Sequence, residues 1–169
     1  DDENEDEINE SDVNESVINV SNSHTEELNL NSRIAIAYDR KSGKVIWGKN
    51  ENKRTAMAST TKIMTAIVLI ENADLNQTIT ISAKSAGTGG SRLGLKKDDK
   101  ILLKDLLYGL MLKSGNDAAV AIAETVGGSV EGFAELMNNK AQELKLENTH
   151  FVTPHGLDNP EHYTTAYEL

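Results

Sequence analysis

The stretch "AMASTTKIMTAIVLIEN", residues 56–72, decides how this chain is read. After Lys62 come Ile63, Met64, Ala66, Ile67, Val68, Leu69 and Ile70, with only Thr65 between them. An apolar pattern nearly all round the 3.6-residue period predicts a helix over about 58–72, buried on most sides. Lysine is among the residues least often buried unless it is paired. Lys62 therefore needs a reason to be there, and Ser59, three residues earlier, is on the same helical face.

The two side chains make chemical sense together. A serine hydroxyl is a weak nucleophile until a base takes its proton. A lysine deprived of water has a lowered pKa, because desolvation disfavours the charged form, and can serve as that base. The first turn of a helix adds free backbone N–H groups suited to developing negative charge. Taken alone, S-x-x-K also fits an N-cap serine beside a snorkelling lysine.

Outward from this helix, "SRIAIAYD" (32–39) alternates like a half-buried strand, "RKSGK" turns, and "KVIWGKN" returns, which predicts a β-hairpin over 33–49. "QTITIS" (77–82) alternates like a short strand, and a Gly-rich loop follows at 87–95. That loop lacks the G-x-x-x-x-G-K-[ST] order of a phosphate loop and is expected to be a cleft-side loop, with Arg92 as a candidate substrate contact. Helices are predicted over 100–113, over 116–126 closed by Gly127-Gly128, and over 129–146 with Ser129 as N-cap. Thr165 stands three residues before Glu168, the spacing of a capping box. A helix start this near Leu169 gives the expectation that the chain is the front part of a longer protein.

The chain has 169 residues and a formal net charge of −10, distributed unevenly. Residues 1–32 hold eleven acids and no Lys or Arg, so the remainder has sixteen acids against seventeen bases. Residues 1–30 are expected to be an acidic disordered tail, and 31–169 the folded domain. No basic stripe interleaved with aromatics points to nucleic acid. There are no cysteines, hence no disulfides or thiolate metal sites. No run approaches the roughly 18 apolar residues needed to cross a bilayer.

A second motif lies 55 residues after Ser59. "LKSGNDAAV" (112–120) puts Ser114 and Asn116 at a break between two helices. Ser114 offers a hydroxyl able to relay a proton, and Asn116 offers an amide donor and acceptor for a substrate peptide group. Turn chemistry accounts for a Ser-Gly-Asn connection by itself, but both motifs in this order are far more specific than either.

With these motifs the chain resembles the penicillin-binding proteins and class A β-lactamases, whose signature is S-x-x-K, S-D-N and K-T-G. More narrowly it resembles the low-molecular-mass D-alanyl-D-alanine carboxypeptidases. "MASTTKIMTA", "LMLKSGNDAAVAIAE", "FVTPHGLDNPEHYTTAYEL" and the hairpin "YDRKSGKVIWGKN" all carry the likeness, from about residue 33 onward. The resemblance implies an α/β, β-lactamase/transpeptidase-like fold, a sheet flanked by helices with a central helix bearing Ser59 and Lys62. It implies a serine peptidase needing no cofactor or metal, acting on peptidoglycan stem peptides ending in D-Ala-D-Ala and inhibited by β-lactam antibiotics. Ser59 would be acylated, Lys62 would be the general base, and Ser114 would pass a proton to the departing D-Ala. Asn116 would orient the acyl chain and Lys62, and the Ser59 N–H would supply one oxyanion donor. The setting implied is outside the cytoplasmic membrane, with membrane docking through C-terminal elements.

The chain departs from the signature in one respect. It contains no K-T-G; its Lys41-Ser42-Gly43 precedes the nucleophile, inside the hairpin turn. By itself it is therefore expected to be a damaged catalyst or none, since losing oxyanion donors costs orders of magnitude in rate. A class A β-lactamase would need a deacylating Glu in an E-x-x-L-N context, and none follows Asn116. A non-catalytic wall-binding module is the alternative of another class. His155 in "PHGLD" is expected to be a structural loop residue, and His24, His150 and His162 are not expected to hold metal.

Overall fold

The computed structural model describes residues 28–169, and the folded unit runs from Ser32 to Leu169. The expected acidic tail lies, up to residue 27, outside the described residues.

The hairpin forms as predicted. Strand β1 (Ala35–Asp39) pairs antiparallel with β2 (Lys44–Lys49), opposing Ala35 to Lys49 and Asp39 to Lys44. The turn is held by Asp39, whose carboxylate accepts from the Lys41 and Ser42 amides at 3.1 Å each. A register shift between Ala37 and Tyr38 breaks the alternation, and Tyr38 is left exposed.

A 3₁₀ turn (Ala58–Thr60) leads directly into α1 (Thr61–Asn72), so Ser59 sits just ahead of the α-helix proper. The inner face of α1 buries Thr61, Lys62, Met64, Thr65, Val68 and Leu69. The expectation of burial on most sides needs correction. Ile63 and Ile70 are exposed, and Ile67 between them is half-buried, a stripe at helical spacing that the described residues leave open.

Strand β3 (Thr78–Thr80) is followed by the short helix α2 (Ala83–Ala86), N-capped by Ser82. Residues 100–102 depart from the sequence expectation. They form strand β4 (Lys100–Leu102), antiparallel to β3, and α3 begins at Leu103 and runs to Lys113. Lys100-Ile101-Leu102 fit the apolar period of the helix that follows, but pairing Ile101 with Ile79 claims them for the sheet. Helix α4 (Asn116–Val126) follows after two residues, and α5 (Val130–Glu143) is capped by the Ser129 hydroxyl, which accepts from the Gly132 amide at 2.9 Å. The latter helix ends three residues earlier than its sequence pattern indicates.

Helix α1 packs against α3, α4 and α5. The shared core holds Val68, Leu69, Leu106, Leu110, Ile122, Phe133 and Met137. Ala118, Ala119, Ala121 and Ala123 give α4 a thin buried side, which lets it lie close to its neighbours. After α5 the chain is irregular, tied back by bridges from His150 to Tyr163 and from Thr55 to Thr164. Half of the predicted capping box is present. The Thr165 hydroxyl accepts from the Glu168 amide at 3.0 Å, while the Glu168 carboxylate accepts from the Asn148 amide instead of returning to the cap.

Candidate active site

The short distance between Ser59 and Lys62 comes from the local geometry, but the setting of Lys62 does not. Its side chain is almost fully enclosed, at 2 % exposure, whereas Ser59 is open to solvent. Lys62 Nζ lies 3.2 Å from Ser59 Oγ and 2.9 Å from the backbone carbonyl oxygen of His155, to which it donates. Burial pushes the lysine pKa below its ordinary value, since an ammonium loses hydration that one hydroxyl and one carbonyl only partly replace. A neutral amine there donates one N–H to the His155 carbonyl and keeps a lone pair for the Ser59 hydroxyl proton.

The carbonyl is held in place by residues 152–162. Thr65, on the same face of α1 as Lys62, donates its hydroxyl to the Pro154 carbonyl at 2.6 Å. Thr61 Oγ1 lies 2.7 Å from His162 Nε2, and the Val152 amide donates to His162 Nδ1 at 2.9 Å. Because Nδ1 accepts, the ring proton is on Nε2, which donates to Thr61. Burial, aided by His150, pushes the His162 imidazole down to about 4. Burial, then the charges of Lys62 and His162, push His155 down to about 4 as well. Gly156 completes the seam at φ +87°, where a β-carbon would lie 1.8 Å from the Ala58 carbonyl oxygen.

The second motif sits at the α3–α4 junction. Ser114 adopts the left-handed conformation (φ 54°, ψ 38°) and ends α3, which frees the next residues to start α4 at once. Among the described residues the Ser114 hydroxyl makes no hydrogen bond to Ser59 or Lys62. Asn116 is buried, and its side-chain amide donates to the Gly89 carbonyl at 2.9 Å. The structure thus joins Ser59 to Lys62 directly, but it links neither Ser114 nor Asn116 to them by hydrogen bond. Arg92, on the Gly-rich loop, is exposed.

Several residues that organise the site were not singled out in the sequence. Asp117 is fully buried and accepts from the Leu93, Gly94 and Leu95 amides at 2.8–3.0 Å and from Ala118 at 2.9 Å. Burial alone would raise its pKa, but these four donors outweigh it and hold the carboxyl below its ordinary value. Asp117 and Asn116 together clamp the Gly-rich loop beside the Ser114 turn. His162, considered in the sequence only as a metal ligand, and the carbonyl of His155, expected only as a loop residue, also organise the site. The only available sequence signal was "PHGLD" followed by histidine seven residues on, which gives no indication of contact with α1.

An exposed serine just ahead of a helix, a buried lysine in its first turn and Ser-Gly-Asn at a neighbouring helix junction are the motifs on which the resemblance to penicillin-binding proteins rests. The chain belongs to the D-alanyl-D-alanine carboxypeptidase family of peptidases, whose family model matches residues 20–169. It is 41% identical over 150 residues to the D-alanyl-D-alanine carboxypeptidase DacF of Bacillus subtilis, covering 86% of this chain and 39% of the relative. It is 35% identical over 145 residues to DacD of Escherichia coli, covering 79% of this chain and 37% of that protein. Among solved structures, the carboxypeptidase DacD of Francisella tularensis matches with TM-score 0.78 and 40% identity, over 82% of this chain and 35% of its own. Penicillin binding protein 5 of Haemophilus influenzae matches with TM-score 0.76 and 33% identity, over 80% and 42%. The chain spans about two fifths of the length of these curated relatives.

Proposed function

We propose that this chain carries the acyl-enzyme machinery of a serine-type D-Ala-D-Ala carboxypeptidase acting on peptidoglycan stem peptides. The observation that carries the reading is the dehydrated Lys62 amine 3.2 Å from the exposed Ser59 hydroxyl, anchored on its far side by the His155 carbonyl.

In this reading Lys62 removes the Ser59 proton as Oγ attacks the carbonyl of the penultimate D-Ala. The Ser59 N–H supports the oxyanion. Collapse breaks the peptide bond, and the proton taken by Lys62 reaches the departing D-Ala amine through the Ser114 hydroxyl. Asn116 orients the acyl chain with the part of its amide not given to Gly89. Water then cleaves the ester, with the same amine as base. A β-lactam enters identically, except that its opened ring stays attached and blocks that water. The substrate places the reaction outside the cytoplasmic membrane. Among the described residues, no helix is long and apolar enough to cross a membrane.

A fluorescent penicillin tests this. The expected result is one slowly formed adduct, located on Ser59 by peptide mass spectrometry and absent from Ser59→Ala. Slow formation is expected because these 169 residues hold no K-T-G. A folded chain that gains no adduct over hours, or gains one on another residue, overturns the reading.

A further inference from the structure

We propose that His162 is a positioning residue for Lys62: it ties the first turn of α1 to the segment 152–156, whose His155 carbonyl holds the amine against Ser59. This rests on the reading of Lys62 as the base. It adds a residue whose imidazole touches neither reacting atom.

The geometry supplies a continuous path. On one side, His162 Nε2–H donates to Thr61 Oγ1, on the residue immediately before Lys62. On the other, Nδ1 accepts from the Val152 amide, and more distantly, at 3.4 Å, from that of Thr153. Thr153 in turn accepts, through its hydroxyl, from the Gly156 amide at 3.0 Å, closing the loop that presents the His155 carbonyl. The ring is 3 % exposed and meets Phe151 edge-on at 5.8 Å between centroids. Both nitrogens are therefore committed, in opposite senses, to two elements that meet at Lys62. A simple space-filling residue would need neither nitrogen. Only one tautomer of the neutral ring satisfies both partners, since a proton on Nδ1, in the other tautomer or in the charged ring, would face the Val152 N–H donor.

The consequence is a seal on the amine. If the seam between α1 and 152–156 loosens, Lys62 regains water and its pKa returns toward the ordinary lysine value. The other titratable groups around this seam are His155 and His150. On α4, Asp117 is committed to the amides of residues 93–95 and 118.

The test uses the whole chain labelled with ¹³C at lysine Cε, with the Lys62 resonance assigned through Lys62→Met. Thr61→Val removes the acceptor of Nε2–H without touching the imidazole, His162→Gln removes the acceptor for Val152, and Thr61→Ser keeps the bond. The expected result is a rise of the Lys62 pKa by about one unit or more in Thr61→Val and His162→Gln, with Thr61→Ser like the wild type. The acid limb of penicillin acylation is expected to move up by the same amount. If either variant is folded and melts lower, yet leaves the Lys62 titration unmoved, His162 is only a structural residue and the proposal fails. Should His162→Gln not fold, Thr61→Val decides. If the wild type takes no penicillin, the catalytic reading falls, while the Lys62 titration still decides the positioning role.

Discussion

Gly156 and Ala58 lie so close that no side chain fits between them: a β-carbon on Gly156 would meet the Ala58 carbonyl oxygen at 1.8 Å and Thr61 Oγ1 at 2.6 Å. One opposing atom belongs to the turn that carries Ser59 and the other to the first residue of α1, so the seam cannot widen without shifting Ser59. Gly156→Ala adds left-handed strain to this overlap. It is expected to cost about 3 kcal/mol or more, in the range of severe packing errors, and to abolish acylation. Thermal unfolding and penicillin labelling check the two effects separately.

Lys62 carries a pH signature opposite to that of a surface lysine. Its native pKa is depressed, so the unfolded chain binds the proton more readily and native stability rises with pH up to the ordinary lysine range. Lys62→Met has no such term. The wild type is expected to gain on Lys62→Met by up to about 1.4 kcal/mol per pH unit between the native and ordinary lysine pKa values. Denaturant unfolding of both proteins from pH 7 to 10 measures this. Parallel curves would show that Lys62 is not depressed.

At the acid end one responsible group is His162, held neutral down to about 4 against an ordinary value of 6.5. The unfolded chain takes up a proton as pH falls below about 6.5, while the native chain does not until about 4. Stability is therefore lost across that interval and levels off below it. One buried histidine shifted this far contributes on the order of 3 kcal/mol to the loss. His162→Gln is expected to flatten the curve between pH 6.5 and 4, apart from the part due to His155, which has the same direction.

Asp117 holds three consecutive amides of the Gly-rich loop. Asp117→Asn removes the charge and points an amide donor at other donors. The expected cost is about 3 kcal/mol, above that of a single neutral hydrogen bond, because buried donors lose a charged acceptor. Hydrogen exchange at Leu93, Gly94 and Leu95 is expected to speed up more than exchange in α5. Uniform acceleration over the whole domain would contradict a local clamp.

Ser114 holds a strained backbone conformation between α3 and α4. With φ at 54° it occupies a region that glycine adopts freely. Ser114→Gly is expected to raise stability by roughly 0.5–1 kcal/mol while slowing penicillin acylation by roughly 10²–10³-fold, the range for a lost proton-transfer partner. A variant that is more stable and equally reactive would remove Ser114 from the proton path.

The hairpin, helix α1 and the α3–α4 junction were legible because their determinants are local: a turn held by Asp39, an apolar period, a Ser-Gly-Asn break. Strand β4 was not, because "KILLKDLL" has one helical period throughout and only the pairing of Ile101 with Ile79 divides it. In the site, Ser59 and Lys62 were visible from their spacing, and the acceptor that seats the lysine was not. That acceptor is a backbone carbonyl, and any residue type at position 155 supplies one. Asp117 went unnoticed because nothing in the sequence marks an acidic residue as buried. Three of its four donors are amides more than twenty residues earlier in the chain.

The three bonds that fix α1 to its loop, from Thr65, Lys62 and Thr61, bridge 89, 93 and 101 residues of chain. Helix α1 leaves the ribosome early, but the partners that dehydrate its amine emerge only with residues 154–162. Closing such long loops is slow compared with forming local helix. The nascent polypeptide therefore carries a hydrated Lys62 until some ninety further residues have emerged, and the amine is dehydrated only when this long-range seam closes.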